Sequence, residues 1–138
     1  MNRSMAIIGL LFGCAILAAQ STPQIKKTTV KQTSATSGKE MYMQYCASCH
    51  GKEGKGDGPA APALKTPPGN LATLAARNKG TFPELRVAHV IEGADDLPAH
   101  GSRDMPTWGQ VFYEMEGNAR MKLRVSNLTG YLKSLQSK

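Results

Sequence analysis

Five apolar positions near the end of the chain, Met121, Val125, Leu128, Leu132 and Leu135, recur at spacings of four, three, four and three. That stripe is what a helix turns toward a core, and it predicts a C-terminal helix. A second face, Leu85, Ala88 and Ile91, predicts a helix that begins near Thr81 and ends at Gly93. Thr81 and Glu84 have the spacing of a capping box, Pro83 is tolerated in a first turn, and Gly93 suits a helix end. Shorter helices are expected after Asn70, through Leu71, Leu74 and Ala75, and after Pro106, through Val111 and Phe112. The first helix opens on Ser37-Gly38-Lys39-Glu40, a second capping box, and runs through Met41, Tyr42 and Tyr45 to Cys46 and Cys49. Between it and Asn70 lies a stretch from Gly51 to Gly69 too rich in Gly and Pro for regular structure. No internal repeat is present. The expected class is all-α, with four to five helices.

The N-terminal pattern differs in kind. Arg3 precedes an apolar run of 14 residues, Ala6 to Ala19, which is too short for a comfortable membrane span. Ala19-Gln20-Ser21 resembles a small-residue cleavage site, so residues 1–21 read as an export leader. Leu11-Phe12-Gly13-Cys14 offers a competing reading, lipidation of Cys14, and an uncleaved anchor is a third. Residues 22–36, rich in Ser, Thr, Gln and Lys, read as a flexible linker, leaving 37–138 as the folded domain. Such a linker has a root-mean-square reach of roughly 20–24 Å.

Composition narrows the class. The chain has 138 residues with three Phe, four Tyr and one Trp, enough for one small domain with a modest core. The formal charge of +7 is concentrated outside that domain, because Arg3, Lys26, Lys27 and Lys31 supply four of the excess positive charges. A basic chain raises a nucleic-acid reading. Here the excess sits mostly in a tail and no basic motif is interleaved with aromatics, so nucleic acid is not expected. Steering of an acidic redox partner is compatible with the charge.

The chemistry centres on Cys46-Ala47-Ser48-Cys49-His50. A bare C-x-x-C fits a thioredoxin-like pair or half a zinc site. Zinc would need a second ligand pair, and only His89, His100 and the leader residue Cys14 remain. The thioredoxin reading expects a βαβ setting that this region lacks. The adjoining histidine selects the third reading, attachment of a c-type haem. The thiols of Cys46 and Cys49 would add to the two vinyl groups as thioethers, and His50 would be the proximal iron ligand. A porphyrin buried on folding would also enlarge the small core, so the haem-free chain is expected to fold poorly. Met105-Pro106 is the expected source of the sixth ligand, since no helical stripe explains Met105, with His100 its main rival.

These residues resemble class I monohaem cytochromes c over about the last hundred positions. Gly38 and Tyr42 match the family's N-terminal helix, and Leu128, Tyr131 and Leu132 its C-terminal helix. Pro62-Ala63-Leu64 resembles a P-x-L element, and Met105-Pro106-Thr107-Trp108-Gly109 resembles the M-P-x-W-G segment of small bacterial members. The resemblance implies that the terminal helices cross around one haem. It implies that the Pro62 carbonyl accepts from the His50 Nδ1–H and that Leu64 packs on the haem. Trp108, near Met105, has two readings, an ordinary core tryptophan or a side chain that packs the haem side of that loop. The implied function is one-electron transfer by a periplasmic or membrane-tethered monomeric carrier, between redox-protein partners the sequence leaves unnamed. A haem subunit of an oxidase or dehydrogenase is the alternative, and a ligand-binding or peroxidase-like haem protein a further one.

Overall fold

The computed structural model describes residues 30–94 and 105–137. The expected cleavage site, Cys14 and most of the expected linker, as well as His100, lie outside the described residues. Within them the secondary structure is helical, without strands. Helix α1 (Gly38–Met41) continues through a wide turn with the i→i+5 pattern (Tyr42–Cys46) into α2 (Ala47–His50). Then come α3 (Leu74–Arg77), α4 (Glu84–Glu92) and α5 (Trp108–Ser134). Single 3₁₀ turns occupy Ala61–Ala63 and Leu71–Thr73.

The capping box at the start of the domain forms half of its expected pair: the Ser37 hydroxyl accepts from the Glu40 amide at 3.2 Å. Asn70 caps the turn at 71–73 by accepting from the Ala72 amide. The second expected box does not form. Helix α4 starts at Glu84 with Pro83 at the N-cap position and no side-chain cap. Its buried residues are Val87 and Ile91, whereas Leu85, expected on that face, is 78% exposed. Steps of three residues slide around a helix by about 60° each, so a stripe drawn through Leu85, Ala88 and Ile91 leaves the core at one end. The two C-terminal helices expected from the sequence are merged into α5 across a break at Gly117, whose φ of 77° is not helical.

Two helices, α1 and α4, pack against α5. At the first contact, Gly38 lies so close to the Asn127 carbonyl that any Cβ there would collide with it, and Tyr42 and Tyr131 lie beside them with ring centroids 5.3 Å apart. The expected crossing of terminal helices is therefore present. At the second contact Gly109 abuts the Glu92 backbone at the end of α4, which explains the glycine that follows Trp108. Met41, Tyr42, Phe112 and Leu128 are fully buried between these helices.

The domain also begins earlier than expected. Residues 31–36, assigned to the linker from their composition, form a strap against α5 and the wide turn. Thr33 and Ala35 are buried, and the Asn127 side-chain amide donates to the Ala35 carbonyl. Composition predicts disorder from a lack of apolar surface. It misses that one buried cation, Arg124, supplies the strap with hydrogen bonds to the Thr33 carbonyl at 2.8 Å and the Thr33 hydroxyl at 3.1 Å.

Candidate haem site

The last carbonyls of a short helix have no intrahelical donors. At the end of α2 the Gly-rich loop supplies them: the amides of Ala60, Gly58 and Gly56 donate to the carbonyls of Ser48, Cys49 and His50 at 2.8, 3.1 and 2.8 Å. The loop can lie this close because Gly58 has no side chain to strike the Ser48 carbonyl. In this way the attachment motif is anchored by backbone and not by helix length.

Folding the loop back sets the register of the chain beyond it. Pro62 falls in the exposed 3₁₀ turn, away from the cleft. The chain then runs along the motif through Leu64 and Thr66 to Gly69. The carbonyl that faces His50 Nδ1 is that of Gly69, at 3.2 Å. This corrects the expectation for Pro62: the loop spends residues 51–60 satisfying α2, and the acceptor arrives seven residues later. A carbonyl can only accept, so Nδ1 carries the proton and Nε2 the lone pair a metal would use.

One cleft gathers the other expected residues. It is lined by Cys46, Cys49, His50, Leu64, Met105 and Trp108, together with Tyr45 and Pro67 to Gly69. Met105 thus meets His50 across 55 positions of sequence, and Pro62 is the one expected cofactor-contacting residue the cleft omits. Trp108 stacks on Tyr45, with centroids 5.0 Å apart and planes 29° apart, and Phe112 closes the group at 5.6 and 5.7 Å from their rings. Tyr45 was expected only as a residue of the first helix. Its position one residue before the first cysteine is the signal that places it on the cleft.

The thiols bear on the alternatives. Both are free, and burial, with Cys49 adding to it, pushes the Cys46 thiol up to about 12. Redox-active C-x-x-C pairs work through thiols whose pKa is lowered. A neutral, half-buried thiol is the opposite setting. Among the described residues, no group of three or more Cys, His, Asp or Glu side chains is assembled in a way that could hold a metal ion. The donor set does fit a covalently attached haem: two uncrosslinked thiols, an imidazole oriented through Nδ1, a thioether, and a cleft walled by Leu64, prolines and aromatic rings.

Comparison with known proteins agrees with this fit. Residues 33–119, more than half of the chain, match the family model described as cytochrome c oxidase, cbb3-type, subunit III. The match starts at Thr33, inside the strap and ahead of the first helix. No curated protein and no solved structure matches the chain.

Proposed function

We propose, because this chain belongs to the family described as cytochrome c oxidase, cbb3-type, subunit III, that it carries single electrons on one covalently held haem with His50 and Met105 as axial ligands. The observation that carries the reading is the convergence of Cys46, Cys49, His50 and Met105 on one cleft. The haem, when bound, supplies an iron that changes oxidation state by one electron.

The chain's own residues supply everything else. Cys46 and Cys49 would hold the group by two thioethers. The Gly69 carbonyl holds the imidazole ring of His50 through Nδ1 and raises its basicity as a ligand. Met105 would fill the remaining axial position. A thioether there would favour the reduced metal, raise the potential and leave oxygen or peroxide no place to bind. Leu64, Pro67 and Pro68 give the cleft part of its apolar lining.

The leader-like pattern of residues 1–21 and the maturation of c-type haems outside the cytoplasm support a reading of export to the periplasm, free or tethered. No helix among the described residues is long and apolar enough to cross a membrane. The partners would be a redox-protein donor and acceptor. The family's description favours a second reading, a haem subunit docked within an oxidase. A stoichiometric partner that co-purifies from membranes of the source cell would support it.

The test is expression in an exporting, haem-maturing host. Optical spectra of both redox states should show a sharp reduced α-band, and the intact mass should rise by one haem. The oxidised protein should show the near-infrared absorption of methionine–iron(III) ligation. Persistence of that band in Met105→Ala would remove Met105 from the iron, and rapid carbon monoxide binding by the reduced wild type would turn the reading toward ligand-binding chemistry.

A further inference from the structure

Behind the cleft lies a buried polar chain that the haem ligands do not explain. Arg124 is 1% exposed, on the face of α5 otherwise occupied by Val125 and Leu128. Its Nε donates to Glu116 at 2.7 Å, and Nη1 and Nη2 donate to the hydroxyl and carbonyl of Thr33. The Thr33 hydroxyl in turn donates to the Tyr45 phenol oxygen at 3.0 Å, and the Tyr45 hydroxyl donates to the Lys31 carbonyl at 2.7 Å. The guanidinium also stands 5.7 Å from the Phe112 ring centre. Each buried side-chain nitrogen and oxygen of this network has a partner, the condition under which a buried network rigidifies its surroundings and does not merely cost desolvation.

The far end of the network reaches the cleft. The ring whose hydroxyl is gripped by the strap is the ring that stacks on Trp108, and Trp108 follows Met105 by three residues in the cleft wall. The two hydrogen bonds at its hydroxyl keep the Tyr45 ring from swinging about χ1, and the stack on Trp108 opposes its turning about χ2. We propose that Thr33 and Arg124 are positioning residues of the haem site, locking Tyr45 and, through its stack on Trp108, holding the Met105 arm against displacement. The inference rests on the reading of Met105 as the axial ligand. The strap thereby ties the last residues of the expected linker to the Met105 side of the haem site.

Exogenous imidazole, which competes for the axial position of the oxidised iron, is the probe. In the haem-loaded protein Thr33→Val keeps the shape of the side chain but removes both hydroxyl bonds. It should bind imidazole at least tenfold more tightly than wild type, and Thr33→Ser should return to within twofold. Tyr45→Phe keeps the stack but removes the grip. It loses the Lys31 carbonyl bond as well, so it should bind imidazole at least as tightly as Thr33→Val, and the double variant should not exceed Tyr45→Phe, as expected where the Thr33 bond acts through the Tyr45 hydroxyl. Gln136→Ala is the control for mere destabilisation. Its amide donates to the Leu71 and Leu132 carbonyls and accepts from Ala75 outside the cleft, so it should lower the melting temperature and leave imidazole affinity within twofold.

Wild-type affinity in both Thr33→Val and Tyr45→Phe, or an equal gain in Gln136→Ala at a similar melting temperature, overturns the proposal. Met105→Ala separates this failure from that of the ligand assignment. If that variant loses the near-infrared band while the strap variants behave as wild type, only the strap inference falls. If it keeps the band, the ligand reading falls and the inference with it.

Discussion

Replacing Gly38 with alanine tests the helix crossing on which the site is built. A Cβ at Gly38 would sit 2.8 Å from the Tyr131 Cβ and closer still to the Asn127 carbonyl oxygen. Ordinary contact begins near 3.4 Å, so α1 and α5 must part by at least about 0.6 Å. A gap of about 0.5–1 Å forfeits a quarter to a half of the dispersion energy between facing atoms. The side chains affected include Met41, Tyr42, Leu128 and Leu132, all at most 4% exposed. Overpacking of this kind costs about 1–3 kcal/mol, and contact with backbone in place of a flexible side chain puts Gly38→Ala at about 3 kcal/mol. At about 4–8 °C per kcal/mol for a domain of this size, the melting temperature should fall by about 12–24 °C. The assay is thermal unfolding of the haem-loaded protein by far-ultraviolet circular dichroism, beside Gly130→Ala. Gly130 also lies in α5, but a Cβ there meets nothing within 4 Å, so alanine should stabilise by about 0.5–1 kcal/mol. A Gly38→Ala protein melting within about 2 °C of wild type, or equal losses in both variants, would refute the account of the crossing.

Other consequences are smaller or sharper. Leu85→Ser, at a position 78% exposed, should change the urea unfolding free energy by less than about 0.5 kcal/mol, and a loss above about 1.5 would return Leu85 to the core. Burial first, then the nearby Cys46, Tyr131 and Asp57, raises the Tyr42 phenol above its ordinary value of 10.0. Its contribution is therefore complete below about pH 10 and is lost as the unfolded chain begins to ionise above it. Tyr42→Phe should lose about 1 kcal/mol near pH 7 with its 2.7 Å hydrogen bond to the Gly51 carbonyl, yet flatten the decline of the urea midpoint between pH 10 and 11.5; an unchanged alkaline slope counts against the buried phenol. A haem-free Cys46→Ala/Cys49→Ala chain should lose most far-ultraviolet helical signal and cooperative melting, and a cooperative transition near that of the loaded protein would show that the helices do not need the group.

What the sequence discloses depends on where each feature's cause lies. The C-terminal stripe is legible because Val125, Leu128 and Leu132 are buried by the periodicity that predicts them. The motif Cys46 to His50 is legible because its chemistry is local: two thiols and an imidazole at fixed offsets. Met105 stands out in the sequence as a methionine without a helix to serve, and it lines the same cleft as the motif. Leu85 is misread because its spacing is helical but its face is decided by what α5 covers. The wide turn at Tyr42–Cys46 leaves no sequence trace, since the same residues would satisfy an ordinary helix.

The two corrections nearest the site share a cause, and it is non-local in both. Pro62 stands at the expected distance from His50, but the acceptor for Nδ1 is chosen by how many residues the loop uses to serve the α2 carbonyls. That number is a property of backbone hydrogen bonding that spacing alone does not encode. The strap is polar, and polarity alone predicts disorder. Its order comes from Arg124, 91 residues away, whose signature is visible in hindsight as a cation four residues before Leu128 on an apolar stripe. A charge in that position costs several kcal/mol unless it is paired and hydrogen-bonded. Sequence reading should therefore treat it as a demand for partners, and the partners it finds here, Glu116 and Thr33, bring an otherwise linker-like segment onto the ring that lines the haem cleft.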